Sequence, residues 1–291
     1  MTGHLRPLTV EDAEQAGEVR HRSFARLGEL KGWPTRPQYD DEARARWRRL
    51  VERYVDMDAA GAWAVEVEGA LVGLALSIRR ESLWGLSILA VDPDHWAAGL
   101  GRQLLDGALM HAEGAAIRMI QSSESPGAIR RYARAGLRLH PGFMAEGKID
   151  RGGLPGDLGG RDGTSSDLDL VDAIDADVRF GIPRTADIAY LLDIGRRLHV
   201  VEEGASRAFA VTGTDGVKCL GATDEAAART VLLRALAAMD ADVLVHGLTA
   251  DQAWAADLLL DVRLDVKAGG PMFLEPGWDY PGPYVPSGLF F

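Results

Sequence analysis

Apolar positions along the chain follow two periods, and the switches between them mark out its elements. Leu5-Arg6-Pro7-Leu8 reads as a short strand. Thr9 then caps a helix from Val10 to about Leu30, with Asp12 and Glu14 in its first turn. Lys31-Gly32-Trp33-Pro34 ends it, and a second helix from about Tyr39 to Asp56 places Trp47, Leu50, Tyr54 and Val55 on one face. Ala62 to Val67 and Leu71 to Leu76 then form a hairpin about Glu68-Gly69-Ala70. Arg79-Arg80-Glu81 leads into a central strand that runs to Val91 and stops at Asp92-Pro93.

Beyond that strand the chain departs from simple patterning. Gly99-Leu100-Gly101 sits between the proline-led turn and a helix that starts near Arg102. Glycines let a backbone turn its N–H groups outward, and a helix start adds unpaired N–H groups and a positive dipole end. Strand, Gly-x-Gly and helix together predict an anion cradle suited to a pyrophosphate. A further strand at Ala116 to Ile120 precedes Ser125-Pro126, which opens another helix with proline in its first turn. Ala128, Tyr132 and Ala135 share a face of that helix, and Gly136 stops it.

Leu137 to Pro141 begins one more strand, followed by Phe143 and Met144. The Gly-rich stretch after it is read as a linker over 151–160. It divides a first domain, 1–150, from a second, 161–291. The order of elements then begins again. Arg6-x-x-Thr9-x-x-Asp12 is echoed by Arg161-x-x-Thr164-x-x-Asp167. Helices are expected at about Asp167–Arg179 and Thr185–Leu198, a strand at Arg207–Thr212 and a turn at Asp215-Gly216. A helix at Asp224–Met239, a strand at Val243–His246 and a helix at Ala250–Val262 match the cradle helix, the strand at Ile117 and the tyrosine helix.

The second copy is expected to lack the central strand and cradle. Gly221-Ala222-Thr223-Asp224-Glu225 stands in place of Gly-x-Gly and sets carboxylates where a phosphate would bind. Aligning Leu137 with Leu264 puts Leu259 at the tyrosine position and Arg263 at the stopping glycine. The tail from residue 269 carries Pro271, Pro276, Pro281, Pro283 and Pro286, which forbid a long helix. Its aromatics Phe273, Trp278, Tyr280, Tyr284, Phe290 and Phe291 need a place to pack, which brings the terminal carboxylate inward.

Composition narrows the class. At 291 residues the chain suits two domains, and 47% apolar residues supply a core for each. A single cysteine, Cys219, excludes an internal disulfide and fits a reducing, cytoplasmic compartment. No apolar run marks a secretory signal or a membrane-spanning helix. The net charge of −11 is lopsided, with 20 Lys+Arg and 21 Asp+Glu in residues 1–150 but 12 and 22 in residues 151–291. That balance opposes nucleic acid, and Asp40, Asp41 and Glu42 are placed to pair with the cluster Arg44, Arg46, Arg48 and Arg49. None of the seven histidines forms a His-x-x-x-His or His-Glu pair, so no metal is expected. No Gly-x-Ser-x-Gly elbow occurs, and the third glycine of a dinucleotide fingerprint is missing.

Trp96-Ala97-Ala98-Gly99-Leu100-Gly101 and Ser125-x-x-Ala128-x-x-x-Tyr132-x-x-x-Gly136-Leu137 together resemble the signature of the GNAT superfamily of acyl-CoA-dependent N-acetyltransferases. Its usual pattern is Arg/Gln-x-x-Gly-x-Gly/Ala, and later Asn-x-x-Ala-x-x-x-Tyr-x-x-x-Gly-Phe. The spacing matches, while Trp96, Ser125 and Leu137 replace the usual types. The resemblance implies an α/β (α+β mixed-sheet) fold, here as two tandem GNAT-like domains, each a twisted mixed sheet flanked by helices. It implies that Leu89, Ala90 and Val91 pair with the pantetheine arm of acetyl-CoA. The diphosphate would lie on Trp96, Ala97, Ala98, Gly99, Leu100, Gly101 and Arg102, with Ser125 at the start of the tyrosine helix. The implied activity is acetyl transfer to a primary amine of a small molecule or peptide, by a monomer or homodimer.

A backbone N–H near Val91 would polarise the thioester carbonyl, and Tyr132 would protonate the leaving thiolate. The family's usual carboxylate is missing between Trp84 and Val91, so the carboxylate of Phe291 is the expected proton acceptor. Trp96 in place of a cation, with Ala98 beside it, keeps a second reading open: a non-catalytic acyl-CoA-binding or ligand-sensing module of the same fold.

Overall fold

The computed structural model describes residues 3–33, 39–179, 181–214, 216–240, 242–279 and 282–291. Pro34, Asp215, Tyr280 and Pro281 lie outside the described residues. Two compact units divide the chain, residues 1–118 and 119–291.

The first unit contains β1 (His4–Pro7), α1 (Ala13–Lys31), α2 (Asp41–Met57), β2 (Ala62–Val67), β3 (Ala70–Arg80), β4 (Leu83–Val91) and α3 (Leu100–Met110). The four strands pair antiparallel in the order β1-β2-β3-β4. β3 is buried at every position from Leu71 to Ile78, because helices cover both faces of the sheet. Trp47 is buried under α1, and its indole N–H is satisfied by the Ala13 carbonyl at 2.8 Å. Arg46 pairs with Glu42 and Arg48 with Glu52, so these members of the basic cluster on α2 are neutralised locally.

The second unit takes up β5 (Ile117–Gln121), inside which the division falls, then α4 (Pro126–Arg134), β6 (Arg138–Gly147), β7 (Arg161–Gly163), α5 (Leu168–Val178) and α6 (Thr185–Asp193). It continues with β8 (Arg197–Glu203), β9 (Ser206–Gly213), β10 (Gly216–Ala222), α7 (Glu225–Ala237), β11 (Val243–Leu248), α8 (Ala253–Asp261), β12 (Asp265–Leu274) and β13 (Tyr284–Val285). One sheet has the order β13-β10-β9-β8-β7, and β5-β12-β6-β11 pair as neighbours in another.

That second order explains why the compact division is not at 151–160. β6, which comes after α4, pairs with β11, the strand that precedes α8. β12, which comes after α8, pairs with β5, the strand that precedes α4. Each helix–strand pair thus closes the ladder opened by the other, and β6 and β12 lie side by side at the centre. Residues 119–147 are woven into the second half of the chain by backbone hydrogen bonds.

Local geometry repeats with the sequence echo. Arg6 pairs with Asp12 at 2.7 Å and Arg161 with Asp167 at 2.6 Å. Thr9 N–H donates to Asp12 and Thr164 N–H to Asp167, each at 2.8 Å. At the ends of α4 and α8, Gly136 and Arg263 both adopt positive φ, +89° and +62°. In each case the next N–H reaches back five residues, Leu137 to Tyr132 O and Leu264 to Leu259 O.

Two expectations for the second copy are corrected. The helix expected to run to Leu198 ends at Asp193, and β8 begins at Arg197. Its core run Leu198-His199-Val200-Val201 is buried on both faces and so lacks alternation. The central strand is also present, as β10, after the hairpin of β8 and β9. What has shrunk is the link from strand to helix. Asp92 to Gly99 joins β4 to α3, whereas only Thr223 and Asp224 join β10 to α7.

Candidate functional site

The register of β3 against β4 fixes which peptides of β4 face outward. Asp92 N–H donates to Val72 O at 2.8 Å, which makes the pair a hydrogen-bonded one and the next pair, Gly73 with Val91, a non-hydrogen-bonded one. Leu89 and Val91 therefore point their N–H and C=O groups away from β3, and Ala90 points its own toward it. The outward groups at the end of β4 belong to two of the three positions read from the sequence.

Beyond Val91 the turn is pinned by Asp92. Its buried carboxylate accepts from Asp94 N–H at 3.0 Å and meets the Arg22 guanidinium at 2.7 Å. Trp96 then folds back, and its indole N–H donates to Val91 O at 2.7 Å. The peptide between Val91 and Asp92 is held from both sides, by Val72 through its N–H and by Trp96 through its C=O. This contact was not legible in the sequence, where Trp96 stands only as a missing cation.

Next come Ala97 at φ +65° and Gly99 at φ +85°. Two left-handed residues so close together turn successive amides the same way. Ala97 carries the steric cost of that conformation, the kind of local strain that persists where a site needs it. Gly99 is the N-cap of α3, and no side chain caps the helix. Among the described residues, no acceptor takes the N–H groups of Ala97 to Gly101. Five amides without a described acceptor thus lie at the positive end of an 11-residue helix. Arg102, exposed, lies 3.5 Å from Asp106.

In the second unit, Ser125 is the N-cap of α4 with Pro126 after it, as expected, although its side chain makes no cap bond. Tyr132 is buried and meets Phe273 edge to face at 5.5 Å between centroids. Desolvation pushes its phenol up to about 12, so the hydroxyl keeps its proton throughout the neutral range.

Phe291 is buried, and its main-chain oxygen accepts from Arg184 Nη1 at 2.9 Å. Arg184 is itself fully buried, with Asp175 at 2.8 and 3.0 Å and the Tyr284 hydroxyl at 3.2 Å. Asp175 is pushed up by desolvation, against the pull of Arg184. The structure thus gathers Phe291, Arg184, Asp175 and Tyr284 into an interior ionic cluster. Phe291 was foreseen as buried; Arg184 was not, because nothing around it in sequence marks an interior guanidinium.

Among the described residues, no group of three or more His, Cys, Asp and Glu stands where it could hold a metal ion. No described helix is long and apolar enough to cross a membrane.

A mixed sheet flanked by helices, outward peptides at the end of a central strand and a helix start without a side-chain cap behind a left-handed turn define an α/β domain. Residues 24–137 match the acetyltransferase (GNAT) family, and the chain carries a domain of that family over those residues. No curated protein matches the chain. Among solved structures, a proposed acetyltransferase from Pyrococcus horikoshii is similar over 99% of this chain and 96% of its own, with a TM-score of 0.77 at 13% identity. A GCN5-related N-acetyltransferase from Sphaerobacter thermophilus is similar over 96% of this chain and 98% of its own, with a TM-score of 0.59 at 13% identity. A third, from Kribbella flavida, covers 94% of this chain and 70% of its own, with a TM-score of 0.61 at 18% identity. These likenesses show that the fold extends over nearly the whole chain.

Proposed function

We propose that this chain transfers an acetyl group from acetyl-CoA to a primary amine of a small molecule or peptide. The open row of amides from Ala97 to Gly101, at the start of α3, is the observation that carries the reading. Backbone N–H groups at a helix start suit a diphosphate without any cationic side chain. The outward N–H and C=O of Leu89 suit the pantetheine arm, Val91 keeps its N–H outward while its C=O is taken by Trp96, and Ser125 lies at the start of the second helix of the site. In this reading the domain of residues 1–150 does the chemistry, 151–160 is the linker, and 161–291 is a second copy turned to support.

The reaction needs few groups. The free amine attacks the thioester carbon, and the N–H of Val91 stabilises the oxygen as it gains charge. The C–N bond forms, the C–S bond breaks, and the thiolate takes a proton from Tyr132. A thiolate is less basic than a phenolate of this kind, so Tyr132 assists by a strong hydrogen bond and partial transfer; water supplies the rest. Phe291 is the weaker candidate for the proton acceptor on the amine. An oxygen engaged by a buried guanidinium is a poor base.

The setting proposed is the cytoplasm, as monomer or homodimer. The test is calorimetry with acetyl-CoA, then thiol release with a panel of amines. Binding with release supports the enzyme; no heat with any acyl-CoA overturns both binding and catalysis. Trp96 in place of a cation favours the second reading, an acyl-CoA-binding or sensing module. Heat without release from any amine would select it.

A further inference from the structure

The outer edge of β4 ends at Val91, and the group that lies against it there is a side chain of the same unit. Past the slip in the β3–β4 register at Leu76 and Ser77, Leu89 and Val91 turn their N–H and C=O groups away from β3. Ala90 turns its own inward, and a Cβ on Gly73 would lie 3.1 Å from its oxygen. A ligand arm that pairs with this edge therefore meets the carbonyls of Leu89 and Val91.

The Val91 carbonyl already has a donor. Asp92 to His95 separate Val91 from Trp96, and two backbone bonds close this turn. His95 N–H donates to Asp92 O at 2.9 Å and Trp96 N–H to Pro93 O at 3.2 Å. Asp92 is anchored in turn by Val72 and Arg22. The turn fixes the Cα of Trp96 and leaves the indole its side-chain rotations. In the rotamer it takes, the indole N–H donates to Val91 O at 2.7 Å.

That placement competes with a ligand. Neighbouring strands run about 4.8 Å apart. A nitrogen 2.7 Å beyond a carbonyl oxygen of the edge lies near that spacing, so the indole sits in the track that a paired chain follows. A carbonyl has a second lone pair, but ring and arm need the same approach along the edge. Packing does not explain the ring's place, since Trp96 is left 38% exposed. Neither a helix nor a strand holds its backbone. Releasing the indole exchanges one neutral hydrogen bond for another, to water, and such an exchange is worth about a factor of five.

We propose that Trp96 is a gate on the donor groove. With its indole N–H on Val91 O the gate is shut; an amide N–H of the pantetheine arm takes that oxygen, and the indole swings out. The inference rests on reading the edge of β4 as the groove for acyl-CoA, and it holds for an enzyme and for a binding module alike. It also assigns a selectivity. A ligand that carries the arm opens the gate, whereas a bare nucleoside diphosphate lies on the amides from Ala97 to Gly101 with the gate shut.

The experiment is calorimetry and tryptophan emission on the full chain, with acetyl-CoA and ADP as probes. Trp96→Phe keeps a ring and removes the N–H, so the Kd for acetyl-CoA should fall about fivefold while that for ADP holds. Acetyl-CoA should shift the emission of the wild type to the red, ADP should not, and Trp96→Phe should lack the shift. Unchanged or weaker acetyl-CoA binding in Trp96→Phe, or an equal change for both probes, overturns the gate and leaves the donor groove standing. If ADP gives no heat, the acetyl-CoA result decides alone. Should Trp96→Phe fail to fold, the wild-type emission decides: no shift with acetyl-CoA, or the same shift with ADP, overturns the proposal. No heat with any acyl-CoA removes the groove itself, and the gate with it.

Discussion

Two helix starts in this molecule hold matching places in the order of elements and have opposite chemistry. α3 succeeds β4 through an eight-residue link and begins at Gly99, with no side-chain cap and its amides open. α7 succeeds β10 through two residues and begins at Asp224, whose carboxylate accepts from Ala227 N–H at 2.9 Å. The first start is available to an external anion. The second has its anion built in. The difference shows how little separates an open helix start from a closed one: a shortened turn and one aspartate supply from within the chain the acceptor that the first start leaves to solvent.

The interiors differ in the same sense. The second unit buries Arg184 and Asp175 completely and ties the tail to them. A chain that holds its end this way depends on the pair. Arg184→Met should therefore give the largest effect, a loss of about 3–5 kcal/mol in unfolding free energy, because buried Asp175 loses both of its close hydrogen bonds and keeps only Arg179 at 3.7 Å. Denaturant titration reads it. A loss below about 1 kcal/mol would mean that the cluster is not a structural element of the second unit.

The comparison of helix starts can be broken by making α3 resemble α7. Gly99→Asp puts a carboxylate at the cradle and strains a residue held at φ +85°. Affinity for acetyl-CoA should fall about 100-fold, or ~2.7 kcal/mol, with a cooperative melt retained. Unchanged affinity would move the diphosphate elsewhere.

Tyr132→Phe asks whether the site does chemistry as well as binding. Turnover should fall about tenfold to 100-fold while acetyl-CoA affinity holds, since the phenol is needed only as the thiolate leaves. Equal turnover would leave Tyr132 a packing partner of Phe273.

Asp224→Ala sharpens the contrast at the smallest scale. Its loss should cost about 1 kcal/mol at neutral pH, the usual worth of an N-cap. The Ala227 N–H holds the Asp224 carboxyl below its ordinary value of 3.8, so the cap stabilises above that value and is lost as pH falls through the lower, folded one. The gap in melting temperature between wild type and variant should close in acid. A gap independent of pH would assign the loss to helix propensity instead of the carboxylate.

Much of the candidate site could be read from local sequence. The spacing Gly99-x-Gly101 after an apolar run predicted an open helix start, and the structure has one. The echo of Arg6, Thr9 and Asp12 at Arg161, Thr164 and Asp167 predicted a repeated turn, and both turns carry the same bonds. Such features are decided within a few residues by φ preference and by side chains that reach their own backbone. β8 was missed for a reason of the same scale: a strand buried on both faces loses the alternation that betrays it.

The sequence by itself determined most of the helices, the hairpin before the central strand, the glycine turn before α3 and the closed start of α7, since each comes from short-range backbone chemistry. Only the tertiary structure decided that β6 and β12 exchange partners, that Trp96 folds back onto Val91, and that Arg184 takes the oxygen of Phe291. Those contacts join residues far apart in the chain or depend on which way one side chain turns. Their free energy comes from desolvation and pairing after the layers have met, and no local pattern records it.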